Sequence, residues 1–179
     1  MILFAAVGVP DGLKRDMERI QKGVSGAKWR EPESFHITLA YFGEVDDDRA
    51  EELDRRLADR SFPGFDLRLK GVGHFGNAQP HQLWAGVEDG TQLAELNAHC
   101  RSAARGAGIA MERRVFRPHL TLAYLSETVD IERLIKFEQR HAKLESKRFL
   151  VDEFQLWSSH RRKSGPNAYR IEATYPLLG

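Results

Sequence analysis

A mixed helix-and-strand fold, laid down twice in one chain, is what this sequence predicts. Three observations carry the prediction. The pattern His-x-Thr-Leu-Ala-Tyr occurs twice, starting at His36 and again at His119. A short apolar run and a helical stripe precede each copy. An acidic helix start follows each copy. One such resemblance arises easily by chance, but the ordered set does not.

The elements follow in order. Leu3-Phe4-Ala5-Ala6-Val7 reads as a buried strand. Behind Pro10-Asp11, the residues Leu13, Met17, Ile20 and Val24 form the apolar stripe of a helix. Phe35-His36-Ile37-Thr38-Leu39-Ala40-Tyr41-Phe42 alternates with period two and reads as a strand. Asp46-Asp47-Asp48 opens the next helix, whose stripe is Ala50, Leu53 and Leu57. Acidic residues suit that end because they offset the positive pole of the helix dipole. A strand over 65–72 closes the first unit.

The second unit repeats this order. Residues 73–82, rich in Gly, Pro and His, are the expected joint, short enough that the lobes pack rather than swing. Leu83-Trp84-Ala85-Gly86-Val87 resembles the opening strand at an offset of 80. Leu93, Leu96, Cys100 and Ala103 form a helical stripe, with Asp89 and Gln92 as a capping pair. Pro118-His119-Leu120-Thr121-Leu122-Ala123-Tyr124-Leu125 is the second motif strand. An acidic start at 128–130 and the stripe Ile131, Leu134, Ile135 predict a fourth helix, followed by strands over 149–157 and 168–176. The whole of 1–179 is expected to be a single bilobal domain.

Composition bounds the function. The 179 residues are 41% hydrophobic and 30% charged with a net charge of +1, as in an ordinary globular protein. No single-sign field favours extended nucleic-acid binding, although a local basic cleft remains open. The one cysteine, Cys100, excludes an intramolecular disulfide and fits a reducing, cytoplasmic setting. The apolar start lacks the basic flank of a signal peptide. No run approaches the roughly 20 apolar residues of a membrane span. A monomer away from the membrane is expected.

On a strand, residues i and i+2 share a face. His36 therefore points with Thr38, and His119 with Thr121. Ile37, Leu39 and Tyr41 take the opposite face, as do Leu120, Leu122 and Tyr124. Two such strands facing each other offer two imidazoles and two hydroxyls. Unperturbed histidine titrates near pH 6.5, so it serves as acid or base. Opening a cyclic phosphate needs both roles: one group takes a proton from attacking water, and the other gives one to the departing sugar oxygen on the far side of phosphorus. The threonine hydroxyls can stabilise the non-bridging oxygens. No cofactor is required. A metal would need a third or fourth ligand, and no acidic or cysteine residue recurs beside the motifs. A lone strand histidine is ordinarily structural, but two in matched context favour function.

These residues resemble the two-histidine phosphoesterase superfamily, whose signature is a pair of His-x-Thr-x motifs. Within it the chain looks most like the RNA 2′,3′-cyclic phosphodiesterases, or 2′-5′ RNA ligase-like proteins. The approach Glu31-Pro32-Glu33-Ser34-Phe35, the run Phe116-Arg117-Pro118 and the ending Ser164-Gly165-Pro166 with Tyr169 fit as well. The resemblance implies an α+β fold: two pseudo-symmetric lobes, each an antiparallel sheet with outer helices, lining a central cleft. It implies hydrolysis of an RNA terminal 2′,3′-cyclic phosphate to a 2′-phosphate, with 2′-5′ ligation as the reverse reaction. By motif, His36 is the implied proton donor to the 3′ oxygen and His119 the acceptor. The alternatives are a cyclic phosphodiesterase acting on a small nucleotide and a non-catalytic nucleotide-binding module.

Other residues divide between roles. Arg117, two before His119, is a candidate phosphate ligand or a surface ion pair. Phe42 stacks on a base or packs in the core. His160, Arg161, Arg162, Lys163 and Arg170 form a solvated hairpin or an RNA-guiding rim. His74 and His81 are expected at the surface, and His99 and His141 have no special context.

Overall fold

The computed structural model describes residues 1–178. The strands are β1 (Ile2–Gly8), β2 (Ala27–Trp29), β3 (His36–Glu44), β4 (Phe65–Leu67), β5 (Leu69–Phe75), β6 (Gln82–Val87), β7 (His119–Leu125), β8 (Phe149–Val151), β9 (Glu153–His160) and β10 (Ala168–Pro176). The helices are α1 (Asp11–Ile20), α2 (Asp47–Ala58), α3 (Thr91–Gly106) and α4 (Ile131–Arg140). The class is α+β. Every paired strand in the main sheet is antiparallel, in the order β10-β9-β1-β3-β7-β6-β5, with β2 also on β7.

The two units exchange strands. β5, from the first unit, pairs with β6 of the second. β9 and β10, from the second, return beside β1 of the first. β4 and β8 meet as a small two-stranded sheet. Residues 73–82, expected as the joint, lie instead within the β5–β6 hairpin of one sheet. The crossing between sheets is the short step from β4 to β5. The helices cross over too: the Asn97 amide of α3 donates to the Leu39 carbonyl of β3 at 2.6 Å.

The two halves of the sheet touch at one residue pair, Ile37 with Leu120. β3 and β7 overlap there and then diverge. The edge of β7 that β3 leaves is taken by β2, with Trp29 opposite Ala123.

Most helical expectations hold in detail. Leu13, Met17, Leu53, Leu57, Leu93, Leu96 and Cys100 are buried. Asp46 and Asp130 cap α2 and α4 by accepting from the third backbone N–H beyond each. Val24 is buried beyond the end of α1. The Asp89–Gln92 pairing does not form. Asp89 instead accepts from the Thr91 N–H and hydroxyl, and Gly90 takes the cap position.

The α4 stripe is rotated from its expected face. Leu134 and Phe137 are buried, while Ile131 and Ile135 are 44% and 46% exposed. The Phe137 ring, 5.8 Å from Trp29, brings more apolar area to that contact than Ile135 can. Ile135→Lys is accordingly expected to shift stability by no more than about 0.5 kcal/mol, the usual scale for surface changes. A denaturant midpoint far below that of the unaltered chain would return Ile135 to the core.

Candidate active site

The single pair between β3 and β7 fixes the site. With Ile37 opposite Leu120, antiparallel register sets His36 opposite Thr121 and Thr38 opposite His119. All four share the face away from buried Ile37 and Leu120. They form a square, with the histidines on one diagonal. Diagonal neighbours across a strand pair lie roughly 7–8 Å apart at the backbone, room enough for a phosphorus between two rings.

Both imidazoles are anchored in the same way. His36 Nδ1 donates to the Ser34 carbonyl and His119 Nδ1 to the Arg117 carbonyl, each at 2.6 Å. A carbonyl only accepts, so Nδ1 carries the proton and Nε2 presents its lone pair. Arg117 thus serves His119 through its backbone. Its side chain is exposed at the rim of the cleft.

Around Nε2 the two copies differ. His36 Nε2 accepts from the Thr38 hydroxyl at 3.1 Å. At His119 the Gln82 amide donates both to the Thr121 hydroxyl at 2.6 Å and to His119 Nε2 at 3.1 Å. Phe4 occupies the position equivalent to Gln82. Gly8 pairs with His36 and Gly86 with His119; Phe4 pairs with Tyr41 and Gln82 with Tyr124. The true offset between β1 and β6 is therefore two residues less than the apolar letters suggest.

Aromatic rings enclose His36: Phe4 at 5.0 Å, Trp157 at 5.1 Å and Tyr169 edge-on at 5.5 Å. Burial lowers its pKa to about 4, against the Ser34 carbonyl, which favours the cation; the Arg30 and His119 charges lower it further. His119 is flanked by Phe75 at 4.9 Å and Trp84 at 6.3 Å, and burial lowers its pKa as well. Trp84 lies against Gly73, where a Cβ would come within 2.5 Å of the indole, so only glycine leaves space for the ring.

Tyr41 and Tyr124 depart from strict alternation. In both copies one leucine, Leu39 or Leu122, is skipped in the pairing, and it and the next alanine are buried. This bulge turns the following tyrosine onto the histidine face. Tyr41 is 61% and Tyr124 44% exposed. Phe42, by the same shift, is a core residue. A cavity of about 490 Å³ opens beside Thr38, Tyr41, Phe75, Arg101 and His119, within the range of small-molecule sites.

The remaining candidates lie elsewhere. His99 is buried and bonds the Leu57 carbonyl at 2.9 Å. His74 is half-buried and pairs with Glu138 on α4. Arg161, Arg162 and Lys163 are exposed in the β9–β10 turn, with Arg162 4.0 Å from Glu31. Among the described residues no three His, Cys, Asp or Glu side chains converge as a metal site, and no helix is long and apolar enough to cross a membrane.

Comparison with known proteins places this architecture. The family model described as "2'-5' RNA ligase superfamily" matches residues 9–163. The chain belongs to the 2′-5′ RNA ligase superfamily. Among superfamily relatives, the RNA 2′,3′-cyclic phosphodiesterase of Archaeoglobus fulgidus is 32% identical over 93% of this chain and 95% of its own. The Thermotoga maritima protein of that name is 32% identical over 93% and 90%. Escherichia coli LigT complexed with 3′-AMP shares the fold at a TM-score of 0.82, with 24% identity over 99% of this chain and 98% of that one.

Proposed function

We propose that this chain is an RNA 2′,3′-cyclic phosphodiesterase that opens the terminal cyclic phosphate to a 2′-phosphate. The observation that carries the reading is the square of two imidazoles and two threonine hydroxyls on one sheet face. Superfamily membership and the names of the relatives support the substrate class.

Water attacks phosphorus, and its proton passes to His119 Nε2. The bond from phosphorus to the 3′ oxygen breaks on the opposite side, and that oxygen takes a proton from His36 Nε2. The 2′ ester bond stays intact. The Gln82 amide N–H at His119 Nε2 only donates, whereas the Thr38 hydroxyl at His36 Nε2 can also accept from a protonated ring; this difference supports His119 as the base and His36 as the acid. His36 gains its proton once the anionic phosphate is beside it, since a nearby negative charge favours imidazolium. Thr38 and Thr121 donate to the non-bridging oxygens. An RNA 5′-hydroxyl in place of water, attacking in the same direction with the 3′ oxygen again leaving, gives a 2′-5′ joint.

The test is an oligonucleotide ending in a 2′,3′-cyclic phosphate. The expected product is the 2′-phosphate, formed undiminished in excess EDTA. A 3′-phosphate would reverse which ester bond is cut. Loss of turnover on chelation, restored by a divalent ion, would replace the metal-free scheme.

A further inference from the structure

Arg30 sits in the fork where β3 and β7 part. Its backbone N–H donates to the Leu122 carbonyl at 2.8 Å. The Gln21 side chain donates to the Arg30 and Leu122 carbonyls at 2.9 and 3.1 Å. The main chain is thus pinned along the edge of β7, in line with β3. Lys28 lies opposite Tyr124, so Arg30, two residues on, belongs to the histidine face.

The side chain is held as firmly. Its guanidinium carbon lies 5.2 Å from the Tyr124 ring centre and 5.7 Å from that of Tyr169. Its Nη2 donates to the Tyr169 hydroxyl at 3.2 Å. Tyr169 in turn stands edge-on to His36. Arg30 is half-buried, yet among the described residues it forms no ion pair; the adjacent Glu31 faces Arg162 instead. A guanidinium has five N–H donors. Held by two aromatic rings and one neutral hydroxyl, with no counter-ion, the guanidinium keeps most of its donors free for an anion. Arg117, by contrast, is exposed on a loop.

We propose that Arg30 binds the non-bridging oxygens of the substrate phosphate, and that Tyr169 is the positioning residue that aims it. The inference rests on the cyclic phosphodiesterase reading and adds the fixed positive charge that the square of histidines and threonines lacks. Charge-assisted bonds from a planar fork to phosphate are among the strongest available. The same cation repels a proton from His36 while the site is empty. Phosphate binding cancels that repulsion, so the acid is charged when substrate is in place.

The experiment compares the unaltered chain with Arg30→Gln, Arg30→Lys and Tyr169→Phe, each checked for folding by thermal melting. Calorimetry with inorganic phosphate reads the anion site directly. Arg30→Gln is expected to weaken phosphate binding about 10- to 100-fold, from the worth of hydrogen bonds to a charged group. Arg30→Lys keeps the charge without the fork and should lose less; Tyr169→Phe should lose several-fold. His36, followed by NMR, should titrate at higher pH in Arg30→Gln but not in Arg30→Lys, which keeps the charge. Unchanged phosphate affinity in folded Arg30→Gln overturns the proposal. If Arg30→Gln does not fold, unchanged affinity in Arg30→Lys overturns it equally. Cyclic-phosphate turnover separates the two readings. Turnover in the unaltered chain with phosphate affinity indifferent to Arg30 leaves the hydrolase and removes the clamp. Phosphate affinity that depends on Arg30, without any turnover, leaves the clamp and removes the hydrolase.

Discussion

His36→Ala and His119→Ala are each expected to lower kcat by roughly 10²–10⁴, the usual worth of a positioned acid or base. Each removes one end of the diagonal on which the proposed in-line displacement depends. The structural costs should differ. His119 lies beside Phe75 and Trp84 at the cleft edge, whereas His36 is packed among Phe4, Trp157 and Tyr169. His36→Ala therefore leaves a larger void and should melt earlier, since cavities left in packed surroundings destabilise. Single-turnover rates and melting curves, measured side by side, keep the two effects apart. Near-normal turnover in either variant would exclude that histidine from proton transfer.

The two histidines hold equivalent positions on β3 and β7 but not equal sites. Phe4 in one unit and Gln82 in the other occupy the same place beside the motif strand. The phenyl ring contributes to the desolvation of His36. The amide ties His119 Nε2 to Thr121. The two sites thus differ at this place by an apolar ring beside His36 and an amide donor beside His119, and Trp157 and Tyr169 add to the enclosure of His36. In the proposed scheme this difference between the two sites gives the proton its direction.

The motif strands, the four helices and the last strand were legible because their signals are local: period two, period 3.6 and an acidic cap. The exchange of β5 and β9 was not, because pairing between distant strands leaves no mark on the order of elements. Counting alternate residues puts Tyr41 and Tyr124 on the face opposite the histidines. A bulge adds one residue without changing the letters, so parity fails beyond it. Gln82 went unnoticed for a related reason. Matching Leu83-Trp84 to Leu3-Phe4 by hydrophobicity set it opposite Ile2, and only the pairing with β7 restores it to Phe4. Arg30 carried no signal at all: its significance comes from a fork that only the folded sheet creates.

The pH profile should show the asymmetry in solution. The proposed mechanism needs His119 neutral and His36 protonated. In the free protein the pKa of His36 is lowered to about 4, and that of His119 lies below the usual 6.5. The group that must hold the proton is thus the weaker base, and the productive form is a minor one. Below about pH 4 both rings are charged and the base is lost. Above the His119 value both are neutral and the acid is lost. The bell of kcat/KM should therefore peak on the acid side of 6.5. In the complex the phosphate charge raises both constants, so the kcat optimum should move to higher pH. The limbs belong to the coupled pair, not to single residues. The variants separate them. Residual activity of His36→Ala should rise until His119 becomes neutral and then stay level, without an alkaline limb. That of His119→Ala should be level in acid and fall as His36 loses its proton. If His36→Ala keeps its alkaline limb and His119→Ala loses it, the donor is His119 and the acceptor His36.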